Sequence, residues 1–395
     1  MADTTRDIWN DDDGEEEQPK KRRALRGFWV FFLTLAAVLA VVVLAAYRDG
    51  TGFDVLRRYL NYGSVESVGG EVVYGYDASS NNRFAALGEK LVVLSETSLR
   101  VLDRDGGEVW SVNVNMSAPM LNRGGGRAVA CDVGGRTLYV VDEGGEVMHL
   151  TAGEDEPFIA AALNEKGWLA VTAEKRGYKG CVSVYDQDGE LVFEFNSSRR
   201  FVIDACVTDD CGYLAAVTLG QENSVFVSNV VLYDVTKTDP AADYDISDGL
   251  VAAIGQQAGK LATVSDTCLT FADTSGAVTA SYAYGGAYLR DYDLSGDGFV
   301  ALLLNRYQSG SVGRLVTVDT DGAELGSLDV NEEVLSVSAA GRYLAVLYAN
   351  RLVVYNQDLQ VYASLNGTDY AREALMRTDG SVLLLSSESA GLFLP

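Results

Sequence analysis

Apolar residues fall into two regimes along this chain. The first is a single run, Phe28 to Ala46 (FWVFFLTLAAVLAVVVLAA), which carries no charge. The second starts near residue 65. It is a long series of short segments in which apolar and polar positions alternate, separated by turns rich in Gly, Asp and Asn. Alternation with period two marks strands with two unlike faces. The most apolar segments recur. They start at Leu91 (LVVLS), Ala128 (AVACD), Trp168 (WLAVT), Tyr213 (YLAAV), Leu261 (LATVS), Phe299 (FVALL), Tyr343 (YLAVL) and Val382 (VLLLS). Their spacing runs from 37 to 48 residues and averages about 42. That is the length of one four-stranded propeller blade.

A third strand follows each of the first seven segments: SLRVLD (98–103), TLYVVD (137–142), CVSVYD (181–186), NVVLYD (229–234), CLTFAD (268–273), RLVTVD (314–319) and RLVVYN (351–356). Each closes on Asp or Asn, which accept hydrogen bonds from their own turn; a following Gly supplies positive φ. These carboxylates therefore read as turn chemistry. Fourth strands follow at 108–114, 146–152, 190–196, 277–284, 324–330 and 360–366. The fourth unit departs from the pattern. Its 236–245 stretch reads as irregular, and Gly220-Gln221-Glu222-Asn223-Ser224 reads as a loop that widens its hairpin.

The two ends complement each other. The last unit stops at Pro395 after three strands, and Gly69 to Tyr76 reads as an orphan fourth strand. The N-terminal strand is expected to complete the C-terminal blade, which removes open sheet edges. The expected fold is all-β: a propeller of eight four-stranded blades, with seven as the alternative, preceded by one transmembrane helix.

Repeats such as Lys166-Gly167-Trp168-Leu169-Ala170, Asp297-Gly298-Phe299-Val300-Ala301 and Gly341-Arg342-Tyr343-Leu344-Ala345 resemble those of the quinoprotein-like and WD40/YVTN-like propeller superfamilies. So does Leu102-Asp103-Arg104-Asp105-Gly106-Gly107-Glu108-Val109-Trp110. The arrangement over residues 20–395 also resembles a domain-of-unknown-function family of membrane-anchored propellers from Clostridia-type bacteria. The quinone-enzyme branch implies a redox cofactor in the central funnel and a bound calcium. Its repeats end the fourth strand in Trp. Here only Trp110 holds a comparable place, against His149, Phe193, Ala280, Leu328 and Ala363 elsewhere. No cofactor is therefore expected.

Charge sharpens the organisation. The 395 residues hold 31 Lys+Arg and 56 Asp+Glu, a net charge of −25. Residues 1–27 hold eight acids followed largely by bases, ending in Lys20-Lys21-Arg22-Arg23 and Arg26. With little to bury, 1–27 is expected to be a disordered cytoplasmic tail. Residues 28–47 are then a transmembrane helix: 19 uncharged residues span about 28 Å, near the thickness of a hydrocarbon core. The basic block places the N-terminus in the cytoplasm. A cleaved signal peptide is the alternative, with a site near Val43-Leu44-Ala45. Residues 48–64 form a juxtamembrane linker, with helical spacing at Phe53, Leu56, Tyr59 and Leu60. Residues 65–395 form the extracytoplasmic propeller of a single-pass cell-membrane protein.

Candidate chemistry is sparse. One histidine, His149, excludes chemistry that needs several. The acidic balance excludes a nucleic-acid footprint. Asp293-Leu294-Ser295-Gly296-Asp297-Gly298 approximates the start of a calcium loop, but its twelfth position is Leu304 rather than Glu. The cysteines are Cys131, Cys181, Cys206, Cys211 and Cys268, with no Cys-x-x-Cys pair. Cys206 and Cys211 flank a four-residue turn, so a disulfide and free thiols both remain open. No catalytic, cofactor-binding or metal residue is assigned. The expected function is a non-enzymatic binding or scaffold module for an envelope protein or cell-wall polymer, tethered to the lipid bilayer through 28–47. The alternative is a small-ligand sensor or quinoprotein-like enzyme using the central funnel.

Overall fold

The structure is a computed structural model. It describes residues 20–49, 54, 58–60, 62, 68–222, 224–246 and 249–395. The chain divides into two compact units, Met1–Val65 and Glu66–Pro395.

In the first unit, helix α1 spans Lys20–Asp49. It begins eight residues before the apolar run, so the basic block is helical rather than part of a tail. Lys, Arg, Ala and Leu are all good helix formers, and an established helix extends through them at little cost. The rest of the expected tail, 1–19, lies outside the described residues, as does most of the expected linker. Side chains of α1 are described for 28–42, and the large apolar ones among them, from Phe28 to Val42, are exposed. Among the described residues no helix is long and apolar enough to cross a membrane.

The second unit is a propeller of eight four-stranded antiparallel sheets, which decides between eight blades and seven. Blades one to seven span 83–113, 119–151, 158–196, 201–246, 251–283, 288–330 and 334–366. The eighth joins Glu373–Met376, Val382–Leu385 and Ser389–Leu394 to β1 (Val68–Gly75), which forms its outer strand. Blade four corrects two expectations. Its central strands, Tyr213–Glu222 and Val225–Asp234, are ten residues each and stay paired through Gly220↔Val227 and Glu222↔Val225, so 220–222 extend the ladder. The 236–245 stretch supplies an ordinary fourth strand, Pro240–Ile246.

Burial follows position in the blade. Second strands such as Phe299–Asn305 are buried throughout, because neighbouring blades cover both faces. Fourth strands such as Glu108–Asn113 alternate between exposed and half-buried, because they form the rim. The apolar clusters lie between blades. One joins Phe299, Leu303 and Leu315 of blade six to Val337, Leu344 and Val346 of blade seven. Another joins Tyr74 and Tyr76 to Leu91 and Val93 of blade one and to Leu383 and Leu385 of blade eight. β1 is therefore the seam of the ring. Gly106, at φ 83° in the last turn of blade one, lies so close to β1 that a Cβ there would collide with the Val73 carbonyl.

Candidate binding face

Antiparallel order gives the ring two different faces. One carries the turns between first and second and between third and fourth strands. The other carries the second-to-third hairpins and the connections from each blade to the next.

The first is a face of polar turns. Asp103, Asp142, Asp186, Asp234, Asp273, Asp319 and Asn356 each accept the N–H two residues on, at 2.6–3.1 Å. Five of them also accept the N–H four residues on, as Asp103 does from Gly107 at 2.7 Å. One oxygen of each side chain, Oδ1, is committed to its turn, as the repeated Asp-x-x-Gly pattern implies. The chain enters the ring on this face, since Val68 pairs with Leu394 at the end of a third strand.

The loop face is chemically different. All six exposed Phe and Tyr side chains among the described residues of the ring lie there: Tyr178, Phe201, Phe226, Tyr288, Tyr307 and Tyr370, between 42% and 61% exposed. Four cavities, of about 470, 500, 600 and 690 Å³, open between loops of this face. The periodic pattern did not single out these residues. They sit at or beyond strand ends, where alternation stops. The one available signal is an aromatic residue inside a polar loop, as in Tyr178 and Tyr307.

The first strands line the centre of the ring and form its joints. Bulges at Ile159, Ile203, Ala252, Arg290 and Leu335 interrupt their pairing with the second strands. The bulges re-aim the residue that follows. In three blades that residue is polar and accepts an N–H from the next blade. Asp204 accepts from Ile254 at 3.4 Å, Asp291 from Val337 at 3.2 Å, and the Ser336 hydroxyl from Ala374 at 2.8 Å. Asp293 and Ser338 repeat the arrangement two residues on, to Ala339 at 2.8 Å and Met376 at 3.0 Å. Burial pushes the Asp204 carboxyl up to about 6, with the Ala205 and Ile254 N–H groups opposing it. Burial also raises Asp291, Asp293 and Glu373. Perturbed carboxylates in a channel are the usual mark of a reactive site. Here the aspartates are hydrogen-bonded across blade joints, which is a structural use of the same groups.

The other sequence candidates resolve individually. The calcium-like segment is an inter-blade joint: Asp293 also accepts from Ser295 N–H at 2.6 Å, and Asp297 N–H donates to the Gly341 carbonyl at 2.7 Å. Among the described residues no group of three or more His, Cys, Asp and Glu could hold a metal ion. His149 is exposed on the rim and stacks on Tyr139, with centroids 4.1 Å apart and planes 5° from parallel. None of the five cysteines forms a disulfide; Cys131, Cys181 and Cys206 are buried, whereas Cys211 and Cys268 are half-buried. Cys211 adopts φ 63° in the turn, and its sulfur lies 3.3 Å from Asn164 Nδ2. Burial raises the Cys131 thiol to about 12 and the Cys206 thiol further. At mildly alkaline pH an alkylating reagent is therefore expected to label Cys211 first, and Cys131 and Cys206 only after denaturation. Peptide mass spectrometry checks this, and a reductant-dependent mass change linking Cys206 to Cys211 would contradict it.

A family of unknown function, DUF5711, matches residues 59–364. The chain belongs to that family. It matches no curated protein sequence. Solved structures share its fold at low identity. The C-terminal WD40 domain of Sif2 is 13% identical with a TM-score of 0.60, covering 82% of this chain and 98% of its own. BamB from Moraxella catarrhalis is 12% identical with a TM-score of 0.52, covering 84% and 100%. A quinohemoprotein alcohol dehydrogenase from Pseudomonas putida is 10% identical with a TM-score of 0.51, covering 82% and 75%. These likenesses match the WD40-like and quinoprotein-like resemblance of the repeats, and they speak to fold only.

Proposed function

We propose that this DUF5711 chain is a non-enzymatic, membrane-anchored propeller that displays its loop face to an envelope protein or cell-wall polymer outside the cell. One observation carries the reading: the exposed Phe and Tyr side chains of the ring, among the described residues, gather on one face, while the opposite face is built of polar turns capped by their own Asp and Asn. Exposed aromatics gathered on one face, two of them, Tyr178 and Phe201, lining a cavity, are the composition of recognition surfaces.

Anchoring is supported by the 19-residue uncharged run within α1, by its exposed apolar side chains and by the basic block before it. Deleting residues 28–46 is expected to move the chain from the membrane pellet to the soluble fraction. N-terminal sequencing of the mature chain separates an anchor from a cleaved leader. Display is tested by photo-crosslinkers in intact cells, placed at Tyr178, Phe226 or Tyr307 and, for comparison, at Asp105, Asp188 or Asp321. Adducts from the first set alone are expected; equal labelling from both faces would sink the reading.

A further inference from the structure

Positive charge is scarce in the ring and unevenly placed. Five of the cations, Lys175, Arg176, Lys179, Arg199 and Arg200, fall within 26 residues. All five belong to the loop face. Three lie in the hairpin between Leu169–Ala173 and Cys181–Tyr185, and two in the connection from Leu191–Asn196 to Phe201–Val207. The cavity of about 690 Å³ lies between these segments, lined by Arg176, Tyr178, Lys179 and Phe201 and by the bulged Ile159 and Ile203. Its volume is that of a small-ligand site.

Two of the cations serve the fold. Lys175 Nζ lies 2.6 Å from Glu194, and Arg200 lies 2.9 Å from Glu222. Arg176 and Lys179 are exposed and, among the described residues, have no ion-pair partner. Lys179 Nζ stands 4.6 Å from the centroid of the Phe201 ring, so charge and flat apolar surface adjoin. Phe201 and Tyr178 are 52% and 47% exposed. Two acids, Asp155 and Glu174, line the same cavity.

We propose that this cavity binds an anionic polysaccharide, with a sugar ring on Phe201 and Tyr178 and its carboxylate or phosphate at Arg176 and Lys179. The inference rests on the display reading and adds its ligand. A pyranose offers a flat C–H face for an aromatic ring, hydroxyls that donate to carboxylates, and in a uronic acid a carboxylate held rigidly at its edge. Aromatic rings, the acceptors Asp155 and Glu174, and unpaired cations surround one cavity here. An acidic peptide brings flexible carboxylates without a flat apolar face, and it would leave both rings bare. Charge-assisted contacts supply attraction, and the rings supply discrimination.

The test uses the full-length chain in detergent micelles and measures binding to polygalacturonate, poly-L-glutamate and neutral dextran at low and physiological salt. Saturable binding to polygalacturonate is expected, weakened about tenfold or more by Lys179→Glu, by Arg176→Glu and by Phe201→Ala. Dextran is expected not to bind. Lys237→Glu, at an exposed turn-face position, is expected to leave binding unchanged. Equal affinity for poly-L-glutamate, insensitive to Phe201→Ala, overturns the saccharide and points to an acidic peptide. Absence of binding to all three polymers also overturns it, while one-faced crosslinking in cells would still uphold display.

Discussion

Deleting β1 is expected to open the ring and leave a chain that aggregates or unfolds well below the intact protein's melting temperature. Without β1 the last blade has three strands, Ser389–Leu394 becomes a bare edge, and the cluster between blades eight and one loses Tyr74. The effect concentrates on Tyr74, which is 1% exposed. Its hydroxyl donates to the Glu89 carbonyl at 3.0 Å and accepts from Arg377 at 3.2 Å. Replacing a buried aromatic by Ala costs about 3–5 kcal/mol through lost transfer energy and the cavity left behind. Tyr74→Ala is expected to lower stability by that amount. Tyr74→Phe keeps the ring and forfeits only the hydroxyl contacts, for about 1 kcal/mol. Urea unfolding of the three proteins measures this. A β1 deletion that stays monomeric with an unchanged midpoint would refute the closure argument.

Asp204→Asn is expected to stabilise the protein at neutral pH and to do nothing at low pH. The Asp204 carboxyl has its folded value raised from 3.8 to about 6 by burial. A raised acid favours its protonated form in the folded state. Its contribution is therefore fully present below about 3.8 and is lost as pH rises through about 6. The loss approaches about 3 kcal/mol as an upper bound, reduced where water reaches the half-buried group. The amide keeps one acceptor oxygen for the N–H of Ile254 or Ala205 and removes the ionisation. The measurement is the stability difference between the two proteins across pH 4 to 7.5, which cancels the titration of every other group. A difference that shrinks as pH rises would show that ionised Asp204 is the favoured form.

Propeller architecture was legible because it follows from local periodicity repeated eight times. The apolar segments at Leu91 through Val382 mark the second strands, which must be buried on both faces and so tolerate few polar residues. The orphan strand at 69–76 was legible for the same reason: it lacks a local partner, and the last unit lacks a strand. Blade four misled because Gly220, Gln221 and Glu222 have loop composition, yet they pair outside the ring's crowded interior, where a ladder can continue without an apolar face. The bulges were illegible because each shifts the alternation by one residue, which in sequence looks like noise. Through them Asp204, Asp291 and Ser336 turn from channel residues into joints between blades.

The sequence by itself determined the four-stranded blade repeat, the way the ring closes and the use of the Asp and Asn turns, and left the choice between eight blades and seven to the structure. Each of these depends on contacts within one repeat or between its two ends. Only the tertiary structure decided that the exposed aromatics share one face, that Lys179 meets Phe201 across two blades, and that the channel carboxylates serve the joints. Those facts depend on how far each blade is rotated against the next, and on bulges that alter strand direction. Neither leaves a period in the sequence.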